Sequence, residues 1–402
     1  MMKWVETDKH SVADEMAALS ALASFGLSVY PERCVRVRNR HSSCSRCADA
    51  CTSGAISLEH GEWSMNPDLC VGCGTCATVC PTCALEAQHP NDTMLMASAM
   101  KSARACEGEA VFVCHRTMER HPDIDSDKVC QVVCLSRLEE TLVATLFAQG
   151  VKRVAGVHAD CANCPRHQGI KSAHLVKDTM SAICETWGID ARLVLTDELP
   201  SAALRDDGAF PASDDPDGID LSAYVAAPDR DQAMAEGSSV SQVDGRIKAS
   251  YVPAHVMKDG TLPHFVPSRR QRLLDQLATF GEPVADELDC RLWGHVVIDF
   301  NACKSCKMCA VFCPTGAICK YRDENGVAGI EHYVAECVHC GLCQDICPAG
   351  AIKSVTQVPA KQLAHGETER YCMPDPEWWT GPDQILRRMR PQISGNSVSH
   401  SY

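Results

Sequence analysis

The run Cys303-Lys304-Ser305-Cys306-Lys307-Met308-Cys309-Ala310-Val311-Phe312-Cys313-Pro314 returns further on as Cys337-Val338-His339-Cys340-Gly341-Leu342-Cys343-Gln344-Asp345-Ile346-Cys347-Pro348. In such a run three closely spaced thiolates wrap one corner of a [4Fe–4S] cube, while the fourth, ahead of proline, ligates the neighbouring cube. Thr315-Gly316-Ala317-Ile318 and Ala349-Gly350-Ala351-Ile352 repeat the exit, as an internal duplication should. The spacing therefore predicts one cluster on Cys303, Cys306, Cys309 and Cys347, and another on Cys337, Cys340, Cys343 and Cys313. Zinc sites use two CxxC pairs, which does not describe three close cysteines plus a fourth.

A second pair of runs lies near the start. Cys70-Val71-Gly72-Cys73-Gly74-Thr75-Cys76-Ala77-Thr78-Val79-Cys80-Pro81 is regular, but the upstream run Cys44-Ser45-Arg46-Cys47-Ala48-Asp49-Ala50-Cys51 lacks its first cysteine. Cys34 is the natural replacement, because a longer loop adds little closure entropy. One cluster is thus expected on Cys34, Cys44, Cys47 and Cys80, and the other on Cys70, Cys73, Cys76 and Cys51. Thr52 stands where the pattern has proline, although Gly54-Ala55-Ile56 keeps the exit. Cys83 reads as a bystander that stands close enough to substitute. The insert Val35-Arg36-Val37-Arg38-Asn39-Arg40 admits two readings: an exposed strand with solvated arginines, or cations that raise the potential of the first cluster.

Composition agrees with a metal-stapled chain. It has 402 residues, room for two or three domains, with 27 cysteines and only 5% aromatics, so clusters are expected to replace part of the core. Met1–Asp8 shows no apolar export core and no window reaches membrane-span length, so thiolates on metal in a reducing cytoplasm are expected rather than disulfides. The net charge of −14 argues against nucleic acid and anionic lipid as partners.

Between the cysteine blocks the grammar changes. Apolar runs at Ala110–Cys114, Val129–Leu135, Val151–His158 and Ala191–Thr196 read as buried strands. Two helical patterns alternate with them, one carrying Leu138, Leu142, Val143, Leu146 and Phe147, the other Val176, Met180, Ile183 and Trp187. Ser136-x-x-Glu139 reads as a capping box. Alternation of this kind implies a parallel sheet, and ligands gather outside the carboxyl ends of its strands. Cys114 and Cys134 close two strands and Cys161 and Cys164 follow a third, so four thiols should meet at one sheet edge. A [2Fe–2S] centre, zinc, a thioredoxin-like Cys161/Cys164 dithiol and inert core thiols all stay open. Cys106, Cys130, Cys184, Cys290, Cys319 and Cys372 read as structural.

The organisation expected is an N-terminal helix, capped by Ser11, plus a two-cluster domain over 1–104. A central α/β domain follows over 105–199, then an acidic Pro/Gly-rich connector over 200–292 containing one amphipathic helix (Arg269–Phe280). A second two-cluster domain spans 293–360, and a polar tail over 361–402 carries Trp378-Trp379.

Phe112-Val113-Cys114, Val133-Cys134-Leu135-Ser136-Arg137 and His158-Ala159-Asp160-Cys161-Ala162-Asn163-Cys164 resemble the small iron–sulfur (delta) subunit of methyl-viologen-reducing hydrogenases. That resemblance implies a [2Fe–2S] cluster and transfer to heterodisulfide reductase. The sequence departs from the family at His115-Arg116-Thr117, at Leu135-Ser136-Arg137 and in the spacing of its last cysteine pair. The flanking blocks resemble bacterial-type dicluster ferredoxins. The fold class expected is therefore ferredoxin-like α+β dicluster domains at both ends of a central α/β domain. The layout is similar to ferredoxin proteins associated with formate dehydrogenase. No glycine-rich nucleotide loop follows any predicted strand. The expected role is an electron-transfer subunit that serves a formate dehydrogenase, hydrogenase or heterodisulfide reductase type partner. The alternatives are a thiol–disulfide enzyme using Cys161/Cys164 and a cluster-based redox sensor.

Overall fold

Glu109–Cys114 is apolar at every inward position because both faces of its strand are covered, the signature of a buried parallel sheet. Ala110, Phe112 and Cys114 face a large core, while Val111 and Val113 face a smaller one with Ile124, Val129 and Ala203. The computed structural model describes residues 26–59, 62–88, 90–205, 237–253 and 256–373. The Ser11 cap, the Asp206–Gly218 stretch and Trp378-Trp379 lie outside the described residues.

The central sheet has four parallel strands in the order Cys130–Val132, Glu109–Cys114, Arg153–Val157, Arg192–Thr196. The chain reverses direction across the sheet between the second and third of these, which is the switch point where such folds open a crevice. Helices Asp92–Ala105, Glu140–Ala148 and Gly169–Trp187 share the larger core. Gly188 ends the last of them in the left-handed region (φ 65°). The capping box is corrected. Glu139 itself caps the Glu140–Ala148 helix, its carboxylate accepting from the amides of Thr141 and Leu142. Ser136 sits in a preceding 3₁₀ turn and its hydroxyl donates to the Cys73 carbonyl (2.6 Å). A serine bonded to a neighbouring loop is lost to capping.

The two cysteine blocks form heads of matching design. In the first, Leu27–Val29 pairs antiparallel with Leu85–Ala87, and Ile56–Ser57 with Trp63–Met65. In the second, His295–Ile298 pairs with Ile352–Val355, and Ile318–Arg322 with Ala328–Tyr333. Each hairpin takes a third strand from elsewhere. Thr368–Cys372 adds to the second head, and Arg246–Tyr251 to the first. Arg246–Tyr251 belongs to a hairpin with Ser238–Val243, inside the stretch read as connector. Part of that stretch is therefore a component of the first head, and Ile247, Ala249 and Val240 enter its core beside Trp63 and Met65. The amphipathic helix occupies Ser268–Thr279 and lays Leu273 and Leu277 on the central core.

One half-buried carboxylate ties these units together. Asp92, at the start of its helix, accepts from Arg137 (2.6 Å), Arg269 (3.3 Å) and Arg272 (3.2 Å), so it joins its own segment to two others. Burial raises its pKa, but the charges of Arg269 and Arg137 outweigh this and hold it well below the carboxylate range. We expect Asp92→Asn to cost about 3–5 kcal/mol in chemical denaturation of the anaerobic protein, because it strands buried cations. The native contribution should be complete above the ordinary carboxylate range and fade as pH falls through the depressed folded value.

Candidate metal centres

Backbone geometry at the regular runs explains how three thiols can share one cavity. The residues on either side of the middle cysteine have positive φ: Gly72 and Gly74, Ser305 and Lys307, His339 and Gly341. Alternating left-handed residues curl the loop into a concave nest of amides. Three of the six are not glycine, a strained choice that persists only where surroundings impose it. At the stretched run Ser45 has φ −128°, so Cys44 and Cys47 are presented by an ordinary helical turn and Cys34 arrives from outside.

Cys34, Cys44, Cys47 and Cys80 line one cavity, and Cys51, Cys70, Cys73 and Cys76 line another. Cys303, Cys306, Cys309 and Cys347 line a third. Cys313, Cys337, Cys340 and Cys343 are grouped by mutual electrostatics: Cys343 interacts with Cys340, Cys337 and Cys313, and Cys340 with Cys313 and Cys337. In every set the fourth sulfur comes from the sister run. Cys83 lines a different cavity with Arg269, Arg270 and Glu139. Burial pushes Cys34, Cys309 and Cys337 up to about 12. Four such thiols together are costly to ionise without a cation, and soft sulfur donors fit iron–sulfur clusters. Amides already aim at sulfur: Ala84 N to Cys80 Sγ (3.3 Å), Ala351 N to Cys347 Sγ (3.3 Å) and Ser305 N to Cys303 Sγ (3.4 Å).

Cys114, Cys134, Cys161 and Cys164 line a single cavity at the switch point of the central sheet, which His158, Asp160 and Arg116 also line. Gly169 opens the following helix against Cys134, and a Cβ there would overlap the Cys134 sulfur. Cys161 is pushed up to about 11 by burial and then by Cys114, Cys134 and Cys164. A thiol-exchange cysteine needs the opposite shift and a helix start beside it. Here Cys161–Cys164 is a turn, and the helix begins at Gly169.

The cavities are neighbours. Val133 lines both the central cavity and that of Cys51, Cys70, Cys73 and Cys76. Cys76 interacts with Cys80, and Cys47 with Cys76, which joins the two sets of the first head. Cys44 and Cys340 pack in one apolar cluster. Around them Arg46 Nη2 donates to the His339 carbonyl (2.7 Å), and Ser43 N and Oγ donate to Asp345 (2.7 and 2.9 Å). Cys343 interacts with Cys309, which joins the two sets of the second head.

The Val35–Arg40 insert departs from the strand expected of it. Val35–Arg38 is a helical turn, and Arg36 bonds the carbonyls of Ser42 and Leu58. Arg38 is buried and Arg40 is exposed. The sequence reading also missed His295, His332 and Glu369, whose polar atoms lie within 4.8 Å of one another. Glu369 accepts from His295, Tyr371 and Gln362, while the buried His332 stacks on His295 with neither ring nitrogen hydrogen-bonded. No periodicity would have revealed it.

Gly169→Ala should displace Cys134 and abolish whatever metal the central cavity holds, while the iron of the two heads remains. Elemental analysis of the anaerobically purified variant checks this, and full retention of central-site metal would contradict it.

Residues 40–84 and 302–351 match the family model of the 4Fe-4S dicluster domain, one match in each head. Over 93 residues the chain is 28% identical to a Proteus vulgaris protein described as a probable iron–sulfur subunit of the Frd operon. That alignment covers 23% of this chain and 59% of the relative. Among the described residues no helix is long and apolar enough to cross a membrane. These similarities support an iron–sulfur protein of the ferredoxin type that takes part in electron transfer.

Proposed function

We propose that this chain relays single electrons along four [4Fe–4S] clusters arranged in one line, with the central four-cysteine site at one end. From that end the order of ligand sets is Cys51/Cys70/Cys73/Cys76, then Cys34/Cys44/Cys47/Cys80, then Cys313/Cys337/Cys340/Cys343, then Cys303/Cys306/Cys309/Cys347. The observation that carries this reading is the neighbour relation: each four-thiol group adjoins the next, including across the junction of the two heads. A bound cluster supplies reversible one-electron storage. The protein's part is to hold sulfur in place, exclude water with apolar walls and aim amides at the thiolates. For the central site we favour [2Fe–2S], with zinc as the competing metal.

No glycine-rich nucleotide loop follows any strand expected from the sequence, so the substrate chemistry is assigned to a partner oxidoreductase of the formate dehydrogenase, hydrogenase or heterodisulfide reductase type. The relative's description as an iron–sulfur subunit supports a role within a complex. A thiol–disulfide enzyme is disfavoured by the raised Cys161 thiol and its distance from a helix start.

Anaerobic purification should yield about 16 irons per chain from four four-iron sites, with matching sulfide, and about two more if the centre is [2Fe–2S]. Fewer than about 12 irons would refute four cubanes. Cys164→Ser should leave cubane iron and EPR signals intact and remove only the central metal. Disulfide turnover by the parent protein that this variant loses would favour the thiol enzyme instead.

A further inference from the structure

Arg38 belongs to the first head, yet one of its two hydrogen bonds reaches a segment that packs on the second. It is 1% exposed. Its Nη1 donates to the Glu32 carbonyl (2.9 Å) and its Nη2 to the Pro263 carbonyl (2.6 Å), while Nε has no partner. The guanidinium lies 5.7 Å from the Tyr251 ring centroid and 5.8 Å from that of Phe265. No carboxylate pairs with it among the described residues. Glu32 makes no direct ion pair with it: Oε2 accepts from Ser238 and Oε1 has no hydrogen-bond partner, although the Glu32 charge acts on the guanidinium from nearby.

A fully buried arginine stays charged, and burying such a cation without an anion costs several kcal/mol. Its surroundings point toward the second head. Pro263 lies in a segment clamped on either side of Cys313: Leu262 N donates to the Val311 carbonyl (3.1 Å) and Phe265 N to the Pro314 carbonyl (2.8 Å). Burial lowers the Arg38 pKa, and Tyr251, Cys313, Cys340 and Glu32 act in that order to raise it, so two thiols of the second head stand among the groups its charge reaches. A site built from four thiolates is the concentrated negative charge that this position faces.

We propose that Arg38 is the buried counter-cation of the cluster held by Cys313, Cys337, Cys340 and Cys343, and that it raises the reduction potential of that cluster from across the junction of the two heads. Each added electron makes the site more negative, so a fixed cation nearby favours the reduced form. The charge arrives only when the heads are docked, which makes the potential of the second head's inner site a property of the assembled chain. This also gives the extra residues between Cys34 and Cys44 a purpose. They carry a cation out of one head and into the other.

The inference rests on the relay reading, and one series of measurements separates the two. The wild-type iron count and EPR test the relay reading alone; if cubanes are absent, that reading fails first. With cubanes present, EPR-monitored redox titration compares wild type with Arg38→Gln and Arg38→Met, the signal of the site being the one altered by Cys340→Ser. Arg38→Gln keeps a donor for the carbonyls and removes the charge. We expect the midpoint of that one cluster to fall in both variants while the two outermost clusters keep theirs. Unchanged midpoints, or an equal fall at all four, overturn the proposal. Should neither neutral variant assemble its clusters, Arg38→Lys decides, since it keeps charge and loses the forked geometry. A retained midpoint then supports the counter-cation, and a fallen one overturns it.

Discussion

Four partly buried thiols in one cavity resist ionising together unless a cation joins them, and this chain gathers such groups in both heads and again in the central sheet. The heads are organised around meeting that demand. Their strands are short, from two to six residues, and cysteine sulfur stands beside hydrocarbon along their cores. Exchange of the fourth cysteine between sister runs locks each head, because Cys51 and Cys80, or Cys313 and Cys347, cross to the other run's thiol group. Neither run can complete a site alone. Metal binding and folding are therefore expected to be one event within each head.

The central domain solves the same problem differently. A cubane loop gathers three ligands within seven residues of sequence, whereas the sheet gathers four from positions 114 to 164 by aligning strand ends. Its site depends on the tertiary fold, on Gly169 standing aside for Cys134, and on the buried helices beneath. The Asp92 cluster makes those helices continuous with the Ser268–Thr279 helix that leads into the second head.

What was legible in the sequence followed from local chemistry. Cysteine spacing decided the grouping of the three regular runs, and apolar runs decided the parallel strands to within a few residues. The assignment of Cys34 also followed locally, from the cost of a longer loop. What stayed illegible was set by long-range contact. Ser238–Val243 is mostly serine and valine in a polar stretch, and only its partner strand shows that Val240 points inward. Ser136 reads as a cap until the Cys73 carbonyl is seen to hold its hydroxyl. The arginines between Cys34 and Cys44 admitted a solvated and a cationic reading, and only the fold shows Arg38 buried and Arg40 exposed.

The docking of the two heads shows why such contacts carry function. Either head alone would present Cys44 or Cys340 near its surface, where water raises the local dielectric and weakens every charge effect on a cluster. Packed together, the heads gather Cys44, Cys340, Val35, Phe312 and Leu342 in one apolar seam. Around its rim lie polar bonds from Arg46 and Ser43, which cost little and fix register. The seam thus does two things with one set of residues. It brings the innermost sites of the two heads together, and it removes the solvent that would otherwise screen a cation placed between them. A chain with two separable ferredoxin-like modules would have needed neither the apolar residues nor the arginine. Their joint burial makes the two heads one packed unit.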